Sequence, residues 1–173
     1  IPAILAAYRT PGFADRDSYV LEMLSTYLSG GKSSVLYKKL VDKKKLALEA
    51  TSINLGQVDY NMFAFFALPL GEVKLSTLLS EIDEEIVKVQ TELISERDYQ
   101  KLLNQFESQF VNSNSSVQGI ANSLARYYLL YGNVNLINEQ LDIYRSITRQ
   151  EIQEVAKKYL NTNQRVEIEY LPG

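Results

Sequence analysis

An α+β fold, with one mostly antiparallel sheet and helices packed on one side of it, is what this sequence predicts. Three observations lead there. Two strand-like runs, 46–55 and 62–68, are joined by the turn Gly56-Gln57-Val58-Asp59, the pattern of a hairpin or near-neighbour antiparallel pair. From Glu72 onward the chain repeats apolar side chains three and four positions apart for about ninety residues, which is helical spacing. A short strand pattern stands near each end, so the order is strand, helices, two strands, a helical run, strand.

Each element has its own local cause. Ala3 to Arg9 is short and apolar and runs into Thr10-Pro11-Gly12, a buried strand ending in a turn. Asp15 and Asp17 open a helix, because carboxylates there accept from free N–H groups and oppose the dipole. Val20, Leu21, Leu24 and Leu28 recur on its inner face, and Gly30-Gly31 stops it. Ser33 and Ser34 are placed to cap a second, shorter helix reaching about Lys43, with Val35, Leu36 and Leu40 inward. Met62 to Leu68 is apolar on both faces, and Gly71 ends that sheet segment.

Leu75, Leu78, Leu79, Ile82, Ile86 and Val89 form one apolar stripe. Ser95 with Asp98 resembles a capping box for a helix carrying Tyr99, Leu102, Leu103, Phe106 and Phe110. Past the polar break 112–116, Val117, Ile120, Ala121, Leu124 and Tyr128 mark another helix, and Leu136, Ile137, Leu141 and Tyr144 a short one. Thr148 and Glu151 frame a further capping box ahead of Ile152, Val155, Ala156 and Tyr159. The last strand, 165–170, alternates Val166, Ile168 and Tyr170 against Arg165, Glu167 and Glu169, the pattern of a half-buried strand.

The 173 residues suit one domain, 1–173, with a core that needs no disulfide or metal. Hydrophobic residues make up 46% and charged residues 23%, which excludes wholesale disorder. Eighteen basic against 21 acidic residues give a net charge of -3, a poor match for nucleic acid, where a basic surface supplies the main attraction. Two zeros say more: the chain has no histidine and no cysteine. That removes Ser-His-Asp and Cys-His catalysis, thiol redox chemistry and the usual zinc ligands. Carboxylate-only chemistry survives. No apolar run is long enough to span a membrane, and the opening residues have neither the basic start nor the cleavage site expected of a secretory signal. The apolar start at Ile1-Pro2 suits a domain cut from a longer protein.

Nothing in the pattern assembles an active site. Glu81, Asp83, Glu84 and Glu85 fall on the wet side of the stripe around Ile82 and Ile86, where a carboxylate run is ordinarily solvated. Lys38, Lys39, Lys43, Lys44 and Lys45 are the one basic concentration; they can attract an acidic peptide or phosphate, but a solvated helix end explains them more simply. Gly30-Gly31-Lys32-Ser33-Ser34 mimics part of a phosphate loop without its spacing. Tyr127, Tyr128 and Tyr131, among twelve tyrosines, read as core or interface.

Read together, several pieces resemble a known family. They are Tyr8-Arg9-x-Pro11, Asp17 at a helix start, Leu28 through Tyr37, Lys45-Leu46-Ala47, and Ile147 through Leu160. Their order is similar to that of the C-terminal domain of pitrilysin/insulinase-type (M16) zinc metallopeptidases, the group that includes the mitochondrial processing peptidases. The resemblance implies the processing-peptidase-like metallohydrolase fold, also called LuxS-like. It also implies a parent in which two halves close as a dimer around a peptide chamber. Zinc would sit on a His-x-x-Glu-His motif in a separate N-terminal domain or partner half, so no cofactor is expected in this chain. The resemblance further implies that the second-half domain of many members carries an Arg and a Tyr seven residues apart; the matching positions here are Val41 and Leu48. By family position Ser33, Ser34 and Tyr37 line the chamber. The resemblance thus implies a non-catalytic supporting domain of a peptide-cleaving zinc enzyme, or a relative kept only for assembly. It leaves bacterial cytoplasm, periplasm and envelope equally open.

Overall fold

The computed structural model describes residues 1–173, which fall into two compact units, 1–93 with 150–173, and 94–149. The first unit holds a four-stranded antiparallel sheet in the order β2-β3-β1-β4. Its strands are β1 (Ala3–Pro11), β2 (Ala47–Leu55), β3 (Tyr60–Pro69) and β4 (Arg165–Tyr170). The expected α+β class and the hairpin of the two central runs are both present.

Alternation along β1 decides which side of the sheet becomes the core. Ile4, Ala6 and Tyr8 are buried and lie opposite Ala67, Phe65 and Phe63 of β3 in register. Helices α1 (Arg16–Ser29) and α2 (Leu75–Thr91) pack on that face. Val20, Leu21, Leu24 and Leu28 of α1 are sealed from solvent, as are Leu78 and Ile82 of α2 apart from a trace. Burying a side chain of this size stabilises by roughly 1.5–3 kcal/mol, so this layer dominates the unit's stability. Asp15 caps α1 by accepting from the Asp17 N–H at 2.8 Å. Helix α6 (Arg149–Tyr159) is tied to α1 by two polar staples. Arg16 makes a two-pronged pair with Glu151, and Asp17 accepts from Tyr159 at 2.6 Å and Lys158 at 3.1 Å.

The second unit is helical: α3 (Glu96–Ser113), α4 (Val117–Tyr131) and α5 (Leu136–Ser146). The Ser95 hydroxyl accepts from the Asp98 N–H, so that cap forms as expected. Leu102 and Phe106 are buried, and the Phe106 ring lies 4.5 Å from that of Tyr144. On α4 the inward aromatic is Tyr127, whose hydroxyl donates to Gln140; Tyr128, expected inward, is 67% exposed. The helix carries apolar side chains around most of its girth, so periodicity alone did not mark the packed side.

Three further expectations change. The second, shorter helix is π-helical over Tyr37–Lys43. Ser34 does not cap it with its hydroxyl, which is buried without a hydrogen-bond partner. And along the edge strand β4 the apolar side chains Val166, Ile168 and Tyr170, expected to be half-buried, stand exposed, while Arg165 on the other face is the side chain drawn inward.

Candidate functional site

The positions that the resemblance assigns to the site, Ser33, Ser34, Tyr37, Val41 and Leu48, fall along one stretch, from the Gly30-Gly31 turn to the start of β2. Three backbone irregularities shape it. Over Tyr37–Lys43 the hydrogen bonds reach back five residues, as from the Lys44 N–H to the Lys39 carbonyl at 2.9 Å. Such π turns insert an extra residue and recur at functional positions. Lys45 then takes φ 51°, the left-handed region, and lets Leu46 N–H close on the Leu40 carbonyl at 2.8 Å. A β-bulge follows: Ala47 pairs with Pro69 and Glu49 with Leu68, leaving Leu48 as the extra residue.

Val41 therefore lies on the π turn, half-buried, and Leu48 on the bulge, exposed. Of the three chamber candidates, Ser33 is exposed, Tyr37 half-buried and Ser34 buried. Neither Val41 nor Leu48 has a polar side-chain atom, so this backbone frame offers no donor or acid there.

The electrostatics of the stretch were missed by the sequence reading. Glu81, Glu84 and Glu85 are not a solvated run. Their carboxylates surround the Lys39 ammonium at 3.0, 2.9 and 3.0 Å, and Glu81 also holds Lys44 at 2.8 Å. Glu85 is itself buried. Burial alone would lower the Lys39 pKa, but its hydrogen bonds to Glu84, Glu81 and Glu85 outweigh that and raise the pKa. The hydrogen bond from Lys44 holds the Glu81 carboxyl below its ordinary range, with Lys39 adding to it. Asp83 is occupied differently. It pairs with Arg165, whose guanidinium also donates to the Tyr8 hydroxyl at 3.0 Å. A hint was available: Glu81, Glu85 and Lys88 are four and three apart on one helix face, and such a row suits pairing as well as solvation. Of the five lysines, Lys39 and Lys44 are neutralised in this way.

No group of three His, Cys, Asp or Glu side chains that could hold a metal ion occurs in the chain. The chain's residues do not fit zinc, since there is no imidazole or thiolate and the clustered carboxylates already neutralise lysines. What the arrangement can do is hold the π turn rigidly against α2.

Residues 1–106 match the family model described as the Peptidase M16 inactive domain. The chain belongs to that family. The M16 inactive domain here is 29% identical over 161 residues to the zinc protease PqqE of Helicobacter pylori, covering 93% of this chain and 36% of that protein. A solved protease from Helicobacter pylori superposes with a TM-score of 0.91 at 26% identity, over 99% of this chain and 41% of the other. An inactive peptidase domain from Bordetella parapertussis shares the fold at a TM-score of 0.85 and 21% identity, over 99% of this chain and 93% of that one. The M16 inactive domain thus spans about a third of the length of the curated relatives it matches. No helix in it is long and apolar enough to cross a membrane.

Proposed function

We propose that this chain is the non-catalytic supporting domain of a zinc peptidase that cleaves peptides, and that residues 1–173 act as one such domain. The observation that carries the reading is the complete lack of histidine and cysteine in a member of the inactive-domain family whose relatives are named zinc proteases. In this reading the metal lies outside the chain, in an N-terminal zinc-binding domain or a partner half. The present domain walls the peptide chamber, with Ser33, Ser34 and Tyr37 toward the substrate. Val41 and Leu48 stand where the second-half domain of many family members would carry Arg and Tyr, donors worth several kcal/mol to a transition state. A second reading, a domain kept purely for assembly, is favoured by the apolar side chains at both of those positions.

Metal analysis of the full-length gene product separates the two. About one zinc per chain, with none retained by residues 1–173 alone, is expected for the supporting domain of the active half. A parent free of zinc moves the assignment to the assembly role. Stoichiometric zinc on the isolated chain overturns both.

A further inference from the structure

The lysines of the π turn separate into two pairs, and the pitch of the turn does the sorting. The bond from the Lys44 N–H to the Lys39 carbonyl spans five residues, so side chains five apart stand one turn above the other. Lys39 and Lys44 are such a pair, and both reach carboxylates of α2. Lys38 and Lys43 repeat the step one position earlier and share a neighbouring side, where both are exposed and neither has an ion-pair partner. At α-helical pitch five residues turn through about 140° beyond a full circle, and each pair would be split. Free charge accumulates along this stretch. Lys32 and Lys45 are likewise exposed and unpaired, and Asp42 and Glu49 are the only carboxylates between 32 and 49. The nearest carboxylates of α2 are engaged by Lys39, Lys44 and Lys88. A positive patch therefore stands on a chain whose net charge is -3.

We propose that Lys38 and Lys43, set one turn apart on the exposed side of the π turn, form a clamp for the acidic side chains of a peptide. The domain then favours substrates rich in glutamate and aspartate. The inference rests on the supporting-domain reading above, in which Tyr37, the first residue of the same turn, lies toward the substrate. Charge complementarity chooses the occupant. Two ammonium groups on flexible stems, one turn apart, match successive carboxylates along an extended chain, whereas a rigid fork for a single compact anion is the work of arginine. The acidic balance of the chain disfavours nucleic acid as the polyanion.

Fluorescence anisotropy on the 173-residue chain tests it, with a labelled peptide carrying a run of glutamates beside its glutamine counterpart. The glutamate peptide is expected to bind about fivefold more tightly at low ionic strength, an advantage that shrinks as salt is added. Lys38→Gln with Lys43→Gln is expected to abolish the advantage. Lys101→Gln with Lys157→Gln removes the same charge from exposed, unpaired lysines of α3 and α6 and is expected to leave it in place. Lys38→Arg with Lys43→Arg keeps the charge and is expected to keep the preference, while circular dichroism reports whether each variant is folded. Equal affinity for the two peptides, or equal losses from the two glutamine pairs, overturns the proposal. So does displacement of the peptide by inorganic phosphate at concentrations too low to change the ionic strength, which assigns the lysines to a single compact anion. Zinc content of the parent is read independently. A zinc-free parent that still prefers the glutamate peptide removes the peptidase reading and leaves the clamp standing; a zinc-bearing parent without the preference removes the clamp alone.

Discussion

Arg165 makes the densest set of contacts of any charged side chain in the sheet. Its side chain is 5% exposed, pairs with Asp83, Tyr8 and Glu167, and joins the edge strand to the core over 82 positions of sequence. Burial raises the Tyr8 pKa, so this phenol stays neutral and accepts from the guanidinium. Arg165→Ala leaves Asp83 and the Tyr8 hydroxyl short of a partner, and a loss of about 3 kcal/mol is expected by urea denaturation. Arg165→Met is expected to lose as much, because the removed charge and not the removed stem is responsible; full stability in that variant would sink the account. Glu81 supplies a pH signature. Its folded pKa lies below the 4.5 of a free carboxyl, so its contribution is present above that value and is lost as pH falls through the lowered folded pKa. Glu81→Gln is therefore expected to lower stability at neutral pH and flatten the acid limb of a stability–pH curve below about pH 4.5.

Among the elements, helix ends and irregular turns show where backbone geometry is most constrained. Gly132 closes α4 in the left-handed region at φ 64°, donating to the Tyr128 carbonyl at 3.0 Å. A methyl group added there meets nothing within 4 Å, so the penalty of Gly132→Ala is conformational alone. About 1 kcal/mol is expected, read as a lowered denaturation midpoint. The π turn and the bulge have a different cause. Lys39 is fixed by three carboxylates on α2, and Leu70 N–H bonds the Leu46 carbonyl at 2.9 Å, so the connection is pinned at both sides. No periodicity in Tyr37-Lys38-Lys39-Leu40 distinguishes a π turn from an α turn, because both bury Leu36 and Leu40. That helix was legible from sequence, but its pitch was not.

For the whole molecule, the supporting-domain reading makes a demanding prediction about function. On that reading the double substitution Val41→Arg with Leu48→Tyr introduces the pair that the family resemblance implies for these positions but adds no metal centre. No turnover of a fluorogenic peptide is expected from the 173-residue chain carrying it, and activity surviving removal of trace contaminants would refute the assigned role. The same logic governs legibility of the site. Composition alone excluded a zinc centre of the usual kind, since neither imidazole nor thiolate exists anywhere in the chain. On the supporting-domain reading, what Ser33, Ser34 and Tyr37 face is set by residues outside the chain, and no local pattern encodes it.

By itself the sequence determined the class of fold, the order of strands and helices, and the caps at Asp15 and Ser95. These depend on side-chain periodicity and hydrogen bonds within a few residues, and both can be read along the chain. Only the tertiary structure decided which charges meet and which face stays bare. Lys39 reaches α2 across 42 positions and Asp83 reaches Arg165 across 82, distances at which sequence spacing carries no geometry. Likewise, Val166, Ile168 and Tyr170 alternate as a buried strand would, yet an edge strand is covered only if another element lies over it. Alternation fixes which side chains share a face of a strand, and packing alone fixes what that face meets.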